Sequence, residues 1–174
     1  MSIFEGLPEV MAPWEVWVRA TPLSHLVLSQ GNLWPVLETL HYIGLSLLLG
    51  AIGLFDLRVL GVAKAIPPAM LHRLVPLGAL GLGVNLLTGI CFFSAFPEQY
   101  AYNRAFHAKL ALMAVAGLNV ALFYTTAFGA VRRLEAGEDA PFWPKLLCGI
   151  SLFAWIGVLI CGRLLTFFRP PFFH

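Results

Sequence analysis

Four long apolar stretches govern what this chain can become. They cover residues 33–60, 74–96, 105–128 and 146–168. Each reaches the roughly 20 helical residues that cross a hydrocarbon core of about 30 Å. Barrel strands would instead show about 10 residues of alternating polarity, and the stretches show none. Inside lipid, every backbone N–H and C=O has to be satisfied within its own segment, so the stretches read as helices. Composition agrees. Of 174 residues, 59% are hydrophobic and 11% charged, against about 25% charged in a soluble domain.

The connectors 61–73, 97–104 and 130–145 are short, which makes successive spans antiparallel neighbours. The expected fold is an all-α integral membrane four-helix bundle of up-down-up-down topology. It comprises an N-terminal segment (1–32), the bundle (33–168) and a C-terminal tail (169–174). In the first, Trp14, Trp17, Val18, Leu23, Leu26 and Leu28 recur at mixed helical spacing. Thr21-Pro22 has the form of a cap followed by proline at the first helical position. Short helices on the membrane surface and a lid over the bundle both fit. Gly78, Gly81 and Gly83 on span two, and Gly149, Gly157 and Gly162 on span four, favour close helix approach. The first basic residue is Arg19, so no cleavable leader is expected.

Arg58, Lys64, Arg73, Arg132, Arg133 and Lys145 gather at one side of the membrane. Arg19, Arg104, Lys109, Arg163 and Arg169 fall at the other. The first set sits in compact, exposed loops, which assigns that side to the cytoplasm. The expectation is a bacterial inner-membrane protein with both termini in the periplasm.

Several functions are excluded. A net charge of +2 without a basic run gives no footprint for nucleic acid. Cys91, Cys148 and Cys161 lack metal-site spacing and read as small buried hydrophobes. Without GxSxG, HExxH, a phosphate loop or paired intramembrane carboxylates, hydrolytic and transferase chemistry is not expected.

Ionisable groups inside spans are costly, so each is a functional candidate. His41 lies about two turns inside span one and His107 about one turn inside span three. Both spans enter from the same side, so the two imidazoles share a depth. Two imidazoles on different helices are what a bis-histidine haem b requires, with both as iron ligands. Gly44, Ala111 and Ala114 would leave room for the porphyrin, and Arg163 would pair with a propionate. The plainer alternative has His41 bonded to Glu38 or to a carbonyl, and His107 merely interfacial. His72 belongs to the opposite interface, His25 to the surface segment and His174 to an exposed terminus. Asp56 and Arg58 point to different helix faces. A structural ion pair with other spans or loops is expected for them, with proton entry as the alternative. Asn85 and Asn119 share one depth and are expected to bond across the bundle, worth about 0.6–2 kcal/mol.

A family resemblance rests on Trp14, Thr21-Pro22-Leu23-Ser24, Glu38-Thr39-Leu40-His41 and Asp56-Leu57-Arg58-Val59-Leu60-Gly61. It extends through Leu87-Thr88-Gly89, Asn103-Arg104-Ala105-Phe106, Lys109 and Ala116-Gly117-Leu118-Asn119. Together these resemble a widespread bacterial four-helix inner-membrane family of unknown function. The resemblance implies the four-span topology and marks His41, Asp56, Arg58, Lys109 and Asn119 as its polar positions. More distantly, the chain is similar to membrane b-type cytochromes and copper-resistance membrane proteins. The first functional expectation is a cytochrome-like electron-transfer protein in the bilayer, between quinone and a periplasmic redox partner. A cofactor-free subunit of a larger membrane complex is the second. A small transporter or metal-handling protein is the third.

Overall fold

A computed structural model describes residues 7–168. The expected tail, with Arg169 and His174, lies outside the described residues. Those residues form α1 (Leu7–Arg19), α2 (Pro22–Ser29), α3 (Leu33–Leu60), α4 (Pro68–His72), α5 (Val75–Ala95), α6 (Pro97–Ala101), α7 (Arg104–Thr126), α8 (Phe128–Val131) and α9 (Phe142–Leu164). The helices α3, α5, α7 and α9 cover most of the four expected apolar stretches, the last two ending at Thr126 and Leu164 rather than at 128 and 168, and are long enough to span a membrane. The chain is therefore an all-α, multi-pass membrane bundle. The fourth span starts four residues before the expected 146. Lys145 does not delay it, because its ammonium reaches Asp139 at 2.7 Å. Proline near the start of a helix removes no needed hydrogen bond, so Pro144 is tolerated there.

Local chemistry sets the ends of these elements. Thr21 caps α2, its hydroxyl accepting from the Ser24 N–H at 3.3 Å, with Pro22 at the first helical position. The expected surface segment is thus two helices. Buried Ser24 and Val27 seat α2 against α5, as the lid alternative requires. At the other end of α3, the Gly61 N–H bonds the Arg58 carbonyl and the Val62 N–H bonds that of Leu57. This double closure needs a left-handed residue, and Gly61 has φ +107°.

The helices pack unequally. α3 lies most extensively on α5, α7 on α9, then α3 on α9, whereas α5 and α7 hardly touch along their spans. Gly44 and Gly81 make the α3–α5 crossing possible. A Cβ at Gly81 would stand 2.8 Å from the Leu48 nitrogen, and one at Gly44 would stand 2.8 Å from the Gly81 carbonyl oxygen. Gly78 also faces α3, within 3.1 Å of Ile52 by the same measure. Gly157 takes Leu112 of α7. Gly83 faces open space, so it has no part in helix approach.

Two ends result. The terminal end holds α1, α2, α6, the start of α3 and the end of α9. The loop end holds α4, α8 and the segments around Lys64 and Glu135.

Candidate functional site

The polar cluster nearest the terminal end is built on His41. Its Nδ1 lies 2.7 Å from Thr88 Oγ1 on α5. The Thr88 hydroxyl has one proton, and carbonyls of its own helix surround it, Val84 at 2.8 Å and Asn85 at 3.2 Å. Donating there, Thr88 accepts from His41, so Nδ1 carries the hydrogen and Nε2 keeps the lone pair. The imidazole also sits 5.6 Å from the Phe92 ring. Lys109, half-buried on α7, lies within electrostatic range of His41 and of the Cys161 thiol. Gly162 leaves space beside the Lys109 ammonium, where a Cβ would stand 3.9 Å from Nζ. Sequence reasoning missed Thr88. Its one signal was a hydroxyl placed deep in an apolar span.

The other residues expected at a haem are elsewhere. His107 is exposed on α7, and so are Ala111 and Ala114 on the same stripe. That stripe therefore points away from the bundle. The space beside Gly44 is filled by α5, with Asn85 Nδ2 only 2.5 Å from a Cβ built there. Arg163 is exposed and stacks over Phe167 at 5.6 Å. No hydrogen bond, ring contact or ion pair joins His107 or Arg163 to His41 among the described residues. The geometry does not fit a porphyrin held between His41 and His107. Of the residues expected at a haem, His41 alone sits in a polar cluster inside the bundle. No group of three His, Cys, Asp or Glu side chains converges among the described residues.

The second cluster lies toward the loop end. Asp56 is 4% exposed and faces Ser151 and Cys148 of α9, with its Oδ2 buried and without a hydrogen-bond partner. Arg58 is 1% exposed. Its Nε donates to the Ile66 carbonyl, and Nη2 donates to those of Glu135 and Glu138 at 3.3 and 3.2 Å. The expected ion pair of Asp56 or Arg58 is thus corrected. Arg58 does join the loops, but through carbonyl oxygens that carry no side-chain signature. The ion pairs among the described residues are Arg19–Glu98, Lys64–Asp139 and Lys145–Asp139. The Gly137 N–H adds a 2.8 Å bond to the Lys64 carbonyl, knitting the two loops together.

The expected bond between Asn85 and Asn119 does not form either. Asn85 donates to the Gly81 carbonyl of its own helix, and Asn119 donates to the Leu147 carbonyl of α9, each at 3.0 Å. The expected common depth does not hold: Asn85 packs at Gly44, whereas Asn119 reaches Leu147 in the cluster of Phe55 and Val59. His72 stands at the loop end, 2.9 Å from the Tyr124 hydroxyl and 4.6 Å from the Phe128 ring. His25 is exposed. The cysteines are free thiols, with Cys148 buried as expected and Cys91 and Cys161 half-buried.

Asn103, also missed, closes the terminal end. It is fully buried, its Oδ1 caps α7 at the Ala105 N–H, and its Nδ2 reaches the Leu165 carbonyl at 3.0 Å. Around it, Tyr100 packs between Phe93 and Phe106, at 6.3 and 5.4 Å. Burial, reinforced by the nearby Glu38 charge, pushes the Tyr100 phenol up to about 12.

The fold and the two clusters define a class, a multi-pass helical membrane bundle with one buried polar group toward each end. The chain matches no family model, no curated protein and no solved structure.

Proposed function

We propose that this chain is an accessory subunit of a larger membrane complex, docking through the apolar faces of α5 and α7. The terminal end would face the periplasm of a bacterial inner membrane, because the compact basic loops lie at the opposite end. The observation that supports docking is unequal burial. In its most apolar stretch, α3 has 44% of its residues buried and α9 has 33%, whereas α5 and α7 have 17% each. The two under-buried helices also pack little on each other, meeting at the Phe93–Phe106 stack near the terminal end. Helix association in lipid rests on van der Waals packing and interhelical bonds. A partner helix seated along α5 and α7 would supply both.

Native mass spectrometry of material released gently from its own membranes tests this reading. A stoichiometric hetero-complex is expected. Release only as a single chain or as copies of itself would overturn it.

One observation favours a second reading, a small electron-transfer protein. Metal-bound histidines usually donate their second ring N–H to an oxygen, as His41 does to Thr88. In that reading His41 would hold a redox cofactor through Nε2, without a part for exposed His107. An absorption spectrum of the reduced protein discriminates. A stoichiometric Soret band that disappears in His41→Ala supports it, and a colourless protein sinks it.

A further inference from the structure

At the loop end, α4, α8 and the last turns of α3 border a cavity of about 220 Å³. Phe55, Pro68, Ala69, His72, Phe128, Val131 and Arg132 line it. The phenylalanine rings stand 5.8 and 4.6 Å from the imidazole of His72. Tyr124 adds a third ring at 5.9 Å and places its hydroxyl 2.9 Å from Nε2. The walls are thus mostly ring faces and aliphatic carbons. Polar chemistry comes from one imidazole and one guanidinium, that of exposed Arg132.

We infer that this cavity binds the ring of a lipid-phase molecule, a planar six-membered ring bearing carbonyl or hydroxyl oxygens, of the quinone type. Three features argue for that class. The first is size. An apolar cavity of about 150 Å³ holds benzene, so about 220 Å³ takes one ring with small substituents. The second is surface, since the Phe55 and Phe128 rings in the wall offer faces and edges on which a flat partner can pack. The third is the polar complement. His72 and Arg132 suit hydrogen bonding to a neutral ring oxygen. A site for a phospholipid headgroup would instead need several cations turned inward. Access is from the edge of the bilayer, because Pro68, Ala69 and His72 open the apolar span that runs to Ala95. Neither the docking proposal nor a haem is required.

The test uses the full chain in nanodiscs of neutral phospholipid, titrated with a short-tailed benzoquinone and followed by calorimetry. Saturable one-to-one binding is expected. Ala69 is exposed, so Ala69→Phe fills the cavity without disturbing the fold and should weaken binding at least tenfold. His72→Phe keeps a ring but removes the imidazole, and should weaken it several-fold. Ala65→Phe, on the same exposed loop but outside the cavity, should leave it unchanged. Three results would overturn the proposal. These are non-saturable uptake alone, equal affinity in Ala69→Phe, and displacement by a short-chain anionic phospholipid but not by a second quinone.

Discussion

At the loop end, one buried arginine gathers three backbone carbonyls from two loops, and a glycine N–H stitches those loops together. At the terminal end, rings take over. Trp34 packs on Phe92 and Phe96, Trp14 stacks on Phe93, and Phe93 stacks on Phe106. The difference concerns direction. Hydrogen bonds to buried carbonyls fix geometry and leave costly orphans when removed. Ring contacts are broad and adapt to exchange. The loop end should therefore be brittle to single substitutions and the terminal end tolerant of conservative ones.

The largest effect is expected from Arg58→Ala. Three loop carbonyls would lose one shared buried donor, costing about 2–4 kcal/mol in total. The thermal midpoint in detergent should drop steeply, and trypsin should cut faster at Arg132 and Arg133. A variant as stable and as resistant as wild type breaks the comparison.

Gly81→Val comes next. It lies between the two ends, where an added Cβ meets α3 backbone at 2.8 Å. Overpacking of this kind costs about 1–3 kcal/mol. Both ends should loosen together, seen as a lower midpoint with trypsin sensitivity raised less than in Arg58→Ala. Selective loosening of the loops would assign the crossing to that end.

At the terminal end, Thr88→Val should cost only about 1 kcal/mol. Its clearer sign is spectroscopic. Without an acceptor at Nδ1, the ¹⁵N shifts of His41 should move from a single tautomer toward a mixture. Unchanged shifts would show that another group orients the ring.

The smallest effect is expected at exposed Asp139. Hydrogen bonds from Lys145 and Lys64 hold its carboxyl below the usual value of 3.8. A lowered folded value means the pairing is complete above that ordinary value and is lost as pH falls through the folded one. Asp139→Asn should therefore lower the midpoint slightly at pH 6, with the gap to wild type closing below about pH 4. A gap that persists at pH 3 would tie the residue to something other than its ion pairs.

Much of the fold was legible because its signals are local. Apolar runs of fixed length specify the spans. Thr21-Pro22 specifies the start of α2, and Gly61 sits at the turn that needs a left-handed residue. The sites were less legible because they depend on helix rotation, which a run of apolar residues barely encodes. His107 has the same depth as His41 but faces outward. Asn85 and Asn119, expected to face each other, sit at different levels and serve different carbonyls. Arg58 was grouped with the exposed loop cations yet is buried, and backbone carbonyls leave no trace in residue type, so its partners were not legible either.

The docking claim is tested most directly by a photo-activated cross-linker at single positions, in cells. Leu87 on α5, Leu118 on α7 and Phe153 on α9 are 68%, 73% and 74% exposed, so lipid contact alone would treat them alike. The account predicts one discrete protein adduct from Leu87 and Leu118, and lipid adducts from Phe153. Lipid adducts from all three positions would contradict it.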